Sequence, residues 1–169
     1  MNLGGPFHLR RWIDEHREHL RPPVGNRMVF EDHEFLVMVV GGPNRRKDFH
    51  VEDGEELFYQ IEGDIVVRVM DDGGPRDVTI REGEIFLLPA RVPHSPQRPE
   101  GTVGLVVERQ RRPGEIDHLR WYCEGCGGLL HDAAFELVDL GSQLKPLIEQ
   151  FAAREDLRTC RACGRVMEL

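Results

Sequence analysis

The sequence predicts an all-β protein, a double-sheet jelly-roll barrel with a short helix before it and a small metal-binding module after it. From Asn26 onward, short runs rich in Val, Ile, Phe and Leu are broken by glycine, proline or aspartate about every eight to twelve residues, as in sandwiches and barrels. No helical pattern interrupts the chain between Asn26 and Glu108, so the strands should pair antiparallel. All four cysteines stand in the last third, as two CxxCG pairs. We therefore predict a barrel with its helix over 1–115 and a cysteine module over 116–169.

The size and charge of the chain limit its partners. Its 169 residues suffice for one full domain and a short appendage. With 30 acidic against 22 basic side chains the formal net charge is -8, so no electrostatic footprint for nucleic acid or an anionic membrane is visible. The first residues lack the apolar core of a signal peptide, and no run approaches the ~18 apolar residues of a membrane span. We expect a soluble cytoplasmic protein with neither nucleic acid nor membrane as a partner.

A short amphipathic helix is predicted over residues 9–20. Pro22 and Pro23 then prevent its continuation, because proline lacks the N–H that a helix needs. His16 and His19 stand three apart and offer a possible metal pair, but no acidic or cysteine partner stands at ligand spacing. We favour a solvated charged face with a partly packed His16. The residues that recur at helical spacing are Leu9, Trp12, Ile13, His16 and Leu20.

Eight strands are predicted in the barrel. The clearest hairpin signals are Gly63-Asp64 and the DDGG segment at 71–74, since glycine adopts positive φ without a Cβ clash. The predicted strands span residues 26–31, 34–41, 45–50, 56–62, 64–70, 76–80, 84–88 and 102–109.

After the Arg112-Pro113-Gly114 segment the strand spacing stops, and the remaining residues predict a module of about fifty residues that buries little core. A helix is predicted over PLIEQFAARED, with Pro146 at its first position, where the missing N–H removes nothing. A structural metal should hold so small a unit together. Its ligands would be the sulfur atoms of Cys123, Cys126, Cys160 and Cys163.

The cysteine spacing does not decide which metal the cysteine module binds. A CxxCG turn points two sulfurs and several backbone N–H groups at one ion, and tetrahedral sulfur suits zinc and iron equally. Free or redox-active thiols are the alternative. A zinc ribbon that binds nucleic acid is disfavoured, because residues 120–169 carry six basic and eight acidic side chains.

A second constellation consists of His50, Glu56 and His94. Two imidazoles and one carboxylate on one face of a metal leave its other face open, which is the arrangement of non-haem Fe(II) oxygenases. Residues six apart in one strand face the same way, and a turn at VEDG would still bring two strand ends together. The alternative is three unrelated polar residues at the mouth of a barrel.

The stretch that contains His50 and Glu56 resembles motif 1 of the cupin superfamily. Gly42 leads to His50, then to Glu56 and Gly63. Asp48 replaces the first histidine of that motif, and five residues instead of three or four separate His50 from Glu56.

The second stretch resembles cupin motif 2, with Gly83, Pro89 and His94 in register. Arg98 stands where the usual final asparagine would be, and Arg91 occupies a position that is normally glycine. Within the cupins the chain is similar to the 3-hydroxyanthranilate 3,4-dioxygenase family over nearly its whole length. The matching segments are PPVGNR, GGPNRRKDFH, EELFYQIEGD, GEIFLLPARVPHSPQRPE, VVERQR and WYCEGCG.

The resemblance implies a role for each motif residue. His50, Glu56 and His94 would hold a catalytic Fe(II), and the cysteines would form the rubredoxin-like site, with iron or zinc, of the bacterial members. Arginines matching Arg46 and Arg98 would meet the substrate carboxylate, because the guanidinium fork pairs a carboxylate bidentately. The remaining matching residues are Glu108 for the amino side of the substrate and, close to the iron, Asn26 and Asp48, of which Asp48 would not be a fourth ligand.

The resemblance also implies the reaction, ring opening of 3-hydroxyanthranilate by O2 to 2-amino-3-carboxymuconate semialdehyde in a cytoplasmic homodimer. That product cyclises to quinolinate, which places the family in tryptophan catabolism and NAD biosynthesis. Two rivals stay open: another cupin dioxygenase or isomerase that acts on a different small acid, and a non-catalytic cupin that senses a carboxylate.

Overall fold

The computed structural model of the chain describes residues 4–21, 25–30, 33–71, 74–138 and 140–169. The helices are α1 Leu9–His16, a 3-10 helix Arg17–Leu20, α2 Leu140–Ala153 and α3 Glu155–Arg158. The strands are β1 Asn26–Met28, β2 Phe35–Gly41, β3 Phe49–Val51, β4 Glu56–Glu62, β5 Ile65–Asp71, β6 Gly74–Ile80, β7 Ile85–Leu88, β8 His94–Gln97, β9 Val103–Arg109, β10 Asp117–Tyr122 and β11 Leu129–Phe135.

The strands form two antiparallel sheets, in the orders β1-β2-β9-β4-β7 and β11-β10-β3-β8-β5-β6. Apolar side chains from the facing surfaces meet between the sheets, because alternate residues of a strand point to the same face. This main core includes Met38, Phe58, Val67, Val69 and Val106. The prediction of an all-β jelly-roll barrel is confirmed.

All eight predicted strands occur, with shifted ends. The predicted strand 45–50 shrinks to β3, since the chain before it pairs only through a bridge between Asn44 and Arg98. At the DDGG turn, Asp71 pairs with Gly74, while residues 72 and 73 lie outside the described residues. Gly63 has the expected positive φ, 64°.

β8 lies outside the eight strands that the sequence predicts. Its sequence HSPQ is polar and contains proline, both of which argue against a strand. It forms because β5 pairs with it along its length and β3 pairs with it at His50 and His94.

The prediction that the strand pattern ends near residue 114 is wrong, because β10 continues the barrel sheet. β10 lies between β3 and β11, with Leu119 opposite His50 in the β3 register. Its residues alternate between buried and half-buried, and Leu119 and Trp121 are almost completely buried. Hydrogen bonds of β10 therefore join the segment after the predicted boundary at 115 to the barrel.

The N-terminal helix forms where it is predicted, and a 3-10 turn completes it to Leu20. Ile13 and Leu20 pack on Val39, Ile61 and Val103 at the outer surface of the five-stranded sheet. Pro22 and Pro23, which should end the helix, lie outside the described residues.

The favoured interpretation of the two helix histidines agrees with the structure. His16 is half-buried, and its Nδ1 donates to the carbonyl of Trp12 at 2.6 Å. His19 is exposed, and its ring centre lies 6.4 Å from that of His16.

The C-terminal helix α2 begins at Leu140, so the prediction that Pro146 starts it is wrong. A proline inside a helix gives up one backbone hydrogen bond. Packing outweighs this loss, because Leu147 and Ile148 lie against a third apolar cluster that contains Trp121 and Phe151. Among the described residues, no helix is long and apolar enough to cross a membrane.

Candidate metal and substrate site

The site lies in a cavity of ≈ 700 Å³ between the two sheets. This volume falls within the range of pockets that hold small organic ligands. Polar side chains from the predicted set reach the cavity wall, which is otherwise largely apolar. They are Asn26, Arg46, His50, Glu56, His94, Arg98 and Glu108.

The strand register places the three predicted metal ligands at this cavity. His50 in β3 and His94 in β8 are paired directly, with ring centres 5.4 Å apart. Glu56 starts β4 in the opposite sheet, so the VEDG segment is a turn between two strands. Nε2 of His94 lies 2.7 Å from Oε2 of Glu56. His50 is turned further away and donates from Nε2 to Oδ2 of Asp117 at 2.7 Å.

The donor types fit a metal ion, although the ligand atoms of His50, Glu56 and His94 do not all lie within 4.8 Å of one another. Oε2 of Glu56 is buried and has no aligned hydrogen bond, although a buried carboxylate oxygen needs a donor or a cation. Each histidine has one ring nitrogen held by the protein, since Nδ1 of His94 donates to the carbonyl of Val92 at 3.0 Å and Nε2 of His50 donates to Asp117. The other ring nitrogen of each is then left for a metal, the usual arrangement of ligating histidines.

The charges around the cavity also favour a cation. Three guanidinium groups, those of Arg46, Arg98 and Arg111, lie among five buried carboxylates. Counted with every carboxyl group ionised and the histidines neutral, the five carboxylates exceed the three guanidinium groups by two negative charges, which one divalent ion would balance. The five carboxylates are those of Asp48, Glu52, Glu56, Glu108 and Asp117.

This excess of negative charge appears in the pKa values. Burial and the neighbouring carboxylate of Glu108 raise the pKa of Glu52 to about 9. Burial and the carboxylate of Glu56 raise the pKa of Glu108 to about 7. Burial also acts on His94, but the carboxylate of Glu56 outweighs it and raises the pKa of the imidazole. A bound divalent cation would lower all three values, because it favours the deprotonated forms.

The two candidate anchors for a substrate carboxylate differ in the structure. Arg98 is only 2% exposed, and Nη1 of its guanidinium group donates to Oε1 of Gln60 at 3.5 Å. Within the described part of the chain no carboxylate lies at ion-pair distance from it, and burial lowers its pKa to about 10. Arg46 instead donates from Nε to Oδ2 of Asp48 at 3.0 Å. Arg98 is therefore the cation that still lacks an anionic partner.

The other three predicted residues differ in whether they line the cavity. Asn26 lines the cavity at the start of β1. Asp48 is buried behind Arg46 and does not itself line the cavity. Glu108 lines it, and its Oε2 accepts from Nη1 of Arg111 at 2.7 Å.

Sequence reasoning missed three charged residues and one wall of this site. Arg111 stands just past the last predicted strand, Asp117 falls in the predicted cysteine module, and Glu52 belongs to the VEDG turn. The fourth omission is the side of α2 that faces the cavity, with Leu144, Lys145, Ile148 and Glu149. Only the alternation of residues 117–122 carried a usable signal, since it is that of a half-buried strand.

The four cysteines form a separate site of the expected kind. Their sulfur atoms all lie within 4.8 Å of one another, and Sγ of Cys123 is 3.5 Å from Sγ of Cys163. Tetrahedral coordination with metal–sulfur bonds of about 2.3 Å would separate the sulfurs by about 3.8 Å, so the cluster is nearly at metal-binding geometry. In both turns the glycine after the second cysteine has a positive φ, 73° at Gly127 and 74° at Gly164. Four sulfur ligands complete a tetrahedral coordination shell, which favours a structural role.

Replacing Cys123 and Cys126 with serine should remove one metal ion per chain and lower the free energy of unfolding by about 4 kcal/mol or more, because metal binding here is folding energy. Metal analysis and urea unfolding measure the two effects, and limited proteolysis shows whether residues 120–169 become accessible. The barrel metal should be retained, since its ligands lie on β3, β4 and β8. Unchanged metal content and an unchanged unfolding midpoint would rule out the structural role.

Comparison with known proteins gives a consistent result. A family model described as 3-hydroxyanthranilic acid dioxygenase matches residues 1–152. A protein named 3-hydroxyanthranilate 3,4-dioxygenase from Jannaschia sp. (strain CCS1) is 53% identical over 161 residues, covering 95% of this chain and 89% of the relative. A protein of the same name from Neurospora crassa is 47% identical to this chain over 162 residues, covering 96% of this chain and 89% of the relative. A solved cupin-2 domain containing protein from Shewanella frigidimarina aligns with a TM-score of 0.49 and 17% identity, over 62% of this chain and 94% of that chain.

Proposed function

Since this chain belongs to the 3-hydroxyanthranilic acid dioxygenase family, we propose that its barrel cavity holds Fe(II) and opens the ring of 3-hydroxyanthranilate with O2. The observation that carries the metal assignment is Glu56. Its buried Oε2 lies 2.7 Å from Nε2 of His94 without an aligned hydrogen bond, in a part of the barrel where five buried carboxyl groups stand against three guanidinium groups. A dication held by His50, Glu56 and His94 satisfies this oxygen and balances the charge.

Fe(II) fits the donor set, and when bound it supplies the redox chemistry with O2 that a closed-shell cation lacks. The protein contributes the geometry. His50 and His94 are fixed by hydrogen bonds at their second nitrogens, so both rings keep one orientation while substrate enters and product leaves.

We propose that Arg98 holds the carboxylate of the substrate. Each charge-assisted hydrogen bond of a buried guanidinium contributes about 1.5–3 kcal/mol, and a bidentate pair also sets the orientation of the ring. Arg46 lines the same cavity but is already paired with Asp48, so it contributes positive potential and a second, weaker contact.

We propose that Glu108 receives the amino side of the substrate. Its Oε2 is held by Arg111, which leaves its other oxygen for the substrate. A carboxylate in this position can accept a proton from the amino group and return it while the ring opens. The reaction breaks one ring carbon–carbon bond and places both oxygen atoms in 2-amino-3-carboxymuconate semialdehyde, so no external reductant is needed.

Oxygen uptake tests this function directly. After anaerobic removal of metal and reloading with Fe(II), the protein should consume one O2 per 3-hydroxyanthranilate added. The same protein loaded with Zn(II) should bind the substrate and consume none, because zinc has no redox chemistry. Undiminished turnover in fully zinc-loaded protein would end the proposal. Substrate binding to the Fe(II) protein without any oxygen uptake would favour the carboxylate sensor instead.

We also propose that the chain is a homodimer that buries the outer face of the five-stranded sheet. α1 covers one end of this face, and apolar side chains remain open at the other, with Ile85 66% and Leu87 51% exposed. They stand opposite Tyr59 and Leu57 in the β4–β7 register, so the four side chains form one patch. Contiguous apolar patches of this kind mark association surfaces.

Leu87→Asp should convert the dimer to a monomer, because it places a charge in the centre of the buried patch. Size-exclusion chromatography with light scattering measures the mass. Thr79→Asp provides a control, since Thr79 is exposed on β6 of the other sheet. A dimer that persists with Leu87→Asp would place the contact elsewhere.

A further inference from the structure

We propose that Asp117 is a positioning residue for the barrel metal, acting through His50. This inference rests on the proposed metal site. The sequence gives Asp117 no motif, and it stands after the predicted end of the barrel. In the structure it is completely buried, and its Oδ2 accepts from Nε2 of His50 at 2.7 Å.

The contact sets both the tautomer and the rotation of the His50 ring. A neutral imidazole carries one proton, and a carboxylate next to Nε2 keeps it there. The lone pair is then on the other ring nitrogen, which is the form that a metal binds. Without the carboxylate the ring can turn or exchange tautomers, and the time that it spends in the ligating form falls.

Asp117 is itself held rigidly by Arg111. Nε of Arg111 donates to Oδ1 at 2.9 Å and Nη2 donates to Oδ2 at 2.7 Å, a bidentate pair. Nη1 of the same guanidinium donates to Oε2 of Glu108 at 2.7 Å. One buried arginine therefore joins the residue that orients a metal ligand to the residue that we place on the amino side of the substrate.

The backbone explains how a residue so far along the chain reaches the metal site. Asp117 is the first residue of β10, and the next three residues pair with β3, where Leu119 stands opposite His50. Further along β10, Trp121 stacks on Phe151 with ring centres 4.3 Å apart. The strand directly after Asp117 is thus fixed by pairing and by packing, which limits the freedom of Asp117 to move away from His50.

Metal affinity tests the proposal without relying on turnover. Co(II) is titrated anaerobically into the full-length wild type and into Asp117→Asn, in competition with a chelator, and its visible spectrum is recorded. The barrel site should bind Co(II) about 10- to 100-fold more weakly in Asp117→Asn, the range known for lost partners of metal-bound histidines. Its spectrum should change, while the sulfur-to-cobalt absorption of the cysteine site should stay as in the wild type.

Asp132→Asn is the matched control. Asp132 on β11 also accepts from a histidine and an arginine, both of which lie on β10. The distances are 2.7 Å to His118 and 2.9 Å to Arg120. His118 is not one of the proposed metal ligands, so the barrel site of Asp132→Asn should bind Co(II) with the affinity of the wild type. If Asp117→Asn does not fold, Asp117→Glu replaces it, since this variant keeps the charge, and it should show an intermediate loss.

The outcomes separate the two claims. A wild type that binds Co(II) only at the cysteines overturns both the proposed function and this inference. A wild type with a barrel site whose affinity and spectrum are unchanged in Asp117→Asn, or in Asp117→Glu where that variant is used, overturns the inference alone. An equal loss in Asp132→Asn would show a general effect of β10 on the barrel and would also overturn it.

Discussion

Glu56→Gln should abolish metal binding in the barrel and, with it, the oxygenase activity. Removing one member of a buried charged cluster costs about 3–5 kcal/mol, which corresponds to roughly two to four orders of magnitude in metal affinity. The amide is nearly the same size as the carboxylate, so the fold should be preserved. Chelator competition under anaerobic conditions measures the affinity, and oxygen uptake measures the activity.

The stability of the same variant without metal should fall as well. Ligand oxygens of Glu52, Glu56 and Glu108 all lie within 4.8 Å of one another, which is unfavourable. Burial acts to raise the pKa of Glu56, but the attraction of the His94 imidazole outweighs this effect, and the pKa is lowered. In the presence of a chelator, urea unfolding of Glu56→Gln should therefore give a free energy of unfolding below that of the wild type, since the neutral amide loses this attraction.

Glu55→Gln is the matched control, because Glu55 is the adjacent residue but is exposed. It should bind Fe(II) and consume oxygen like the wild type. If Glu55→Gln lost the barrel metal and Glu56→Gln retained it, the carboxylate ligand would be Glu55 and not Glu56.

Arg98→Ala should weaken transition-state binding of 3-hydroxyanthranilate by about 2–5 kcal/mol, much of it because the substrate carboxylate is left buried and unpaired. The structure supports a value in this range, since Arg98 is 2% exposed and, among the described residues, has no carboxylate at ion-pair distance. Arg98→Lys should recover only part of the loss, because a point charge does not reproduce the two-pronged contact of guanidinium.

The informative measurement is a ratio of kcat/KM values for 3-hydroxyanthranilate and 2-aminophenol, which lacks the carboxylate. Arg98→Ala should lower this ratio strongly, whereas Arg45→Ala, at an exposed arginine next to Arg46, should leave it unchanged. An unchanged ratio in Arg98→Ala would place the carboxylate anchor elsewhere, with Arg46 the next candidate.

The barrel and the motif residues were readable from the sequence because their signals are local. Strand alternation and glycine turns depend on neighbouring residues, so eight strands could be predicted, and β4 has the predicted ends. His50, Glu56 and His94 stand at motif spacing on those strands, and Arg98 follows in the second motif. The CxxCG turns are local as well, and the cysteines cluster as their spacing predicted.

The rest of the site depends on which strands become neighbours, and this is decided by packing over long distances in the chain. β8 is a strand because β5 pairs with it, despite its proline. β10 enters the barrel sheet because Leu119 and Trp121 are buried there. Asp117, at the start of β10, contacts His50, which stands 67 residues earlier in the chain. Nothing in the residues around position 117 indicates that contact.

The sequence by itself thus determined the fold class, the family resemblance and the identity of the candidate ligands, since these follow from residue type and short spacing. Only the tertiary structure decided how their charges are balanced. It paired Arg46 with Asp48, gave Arg98 no carboxylate at ion-pair distance among the described residues, and placed Arg111 between Asp117 and Glu108. The reason is physical, because the cost of burying a charge is set by the groups that surround it in space, and those groups come from both sheets and from the segment beyond the predicted barrel.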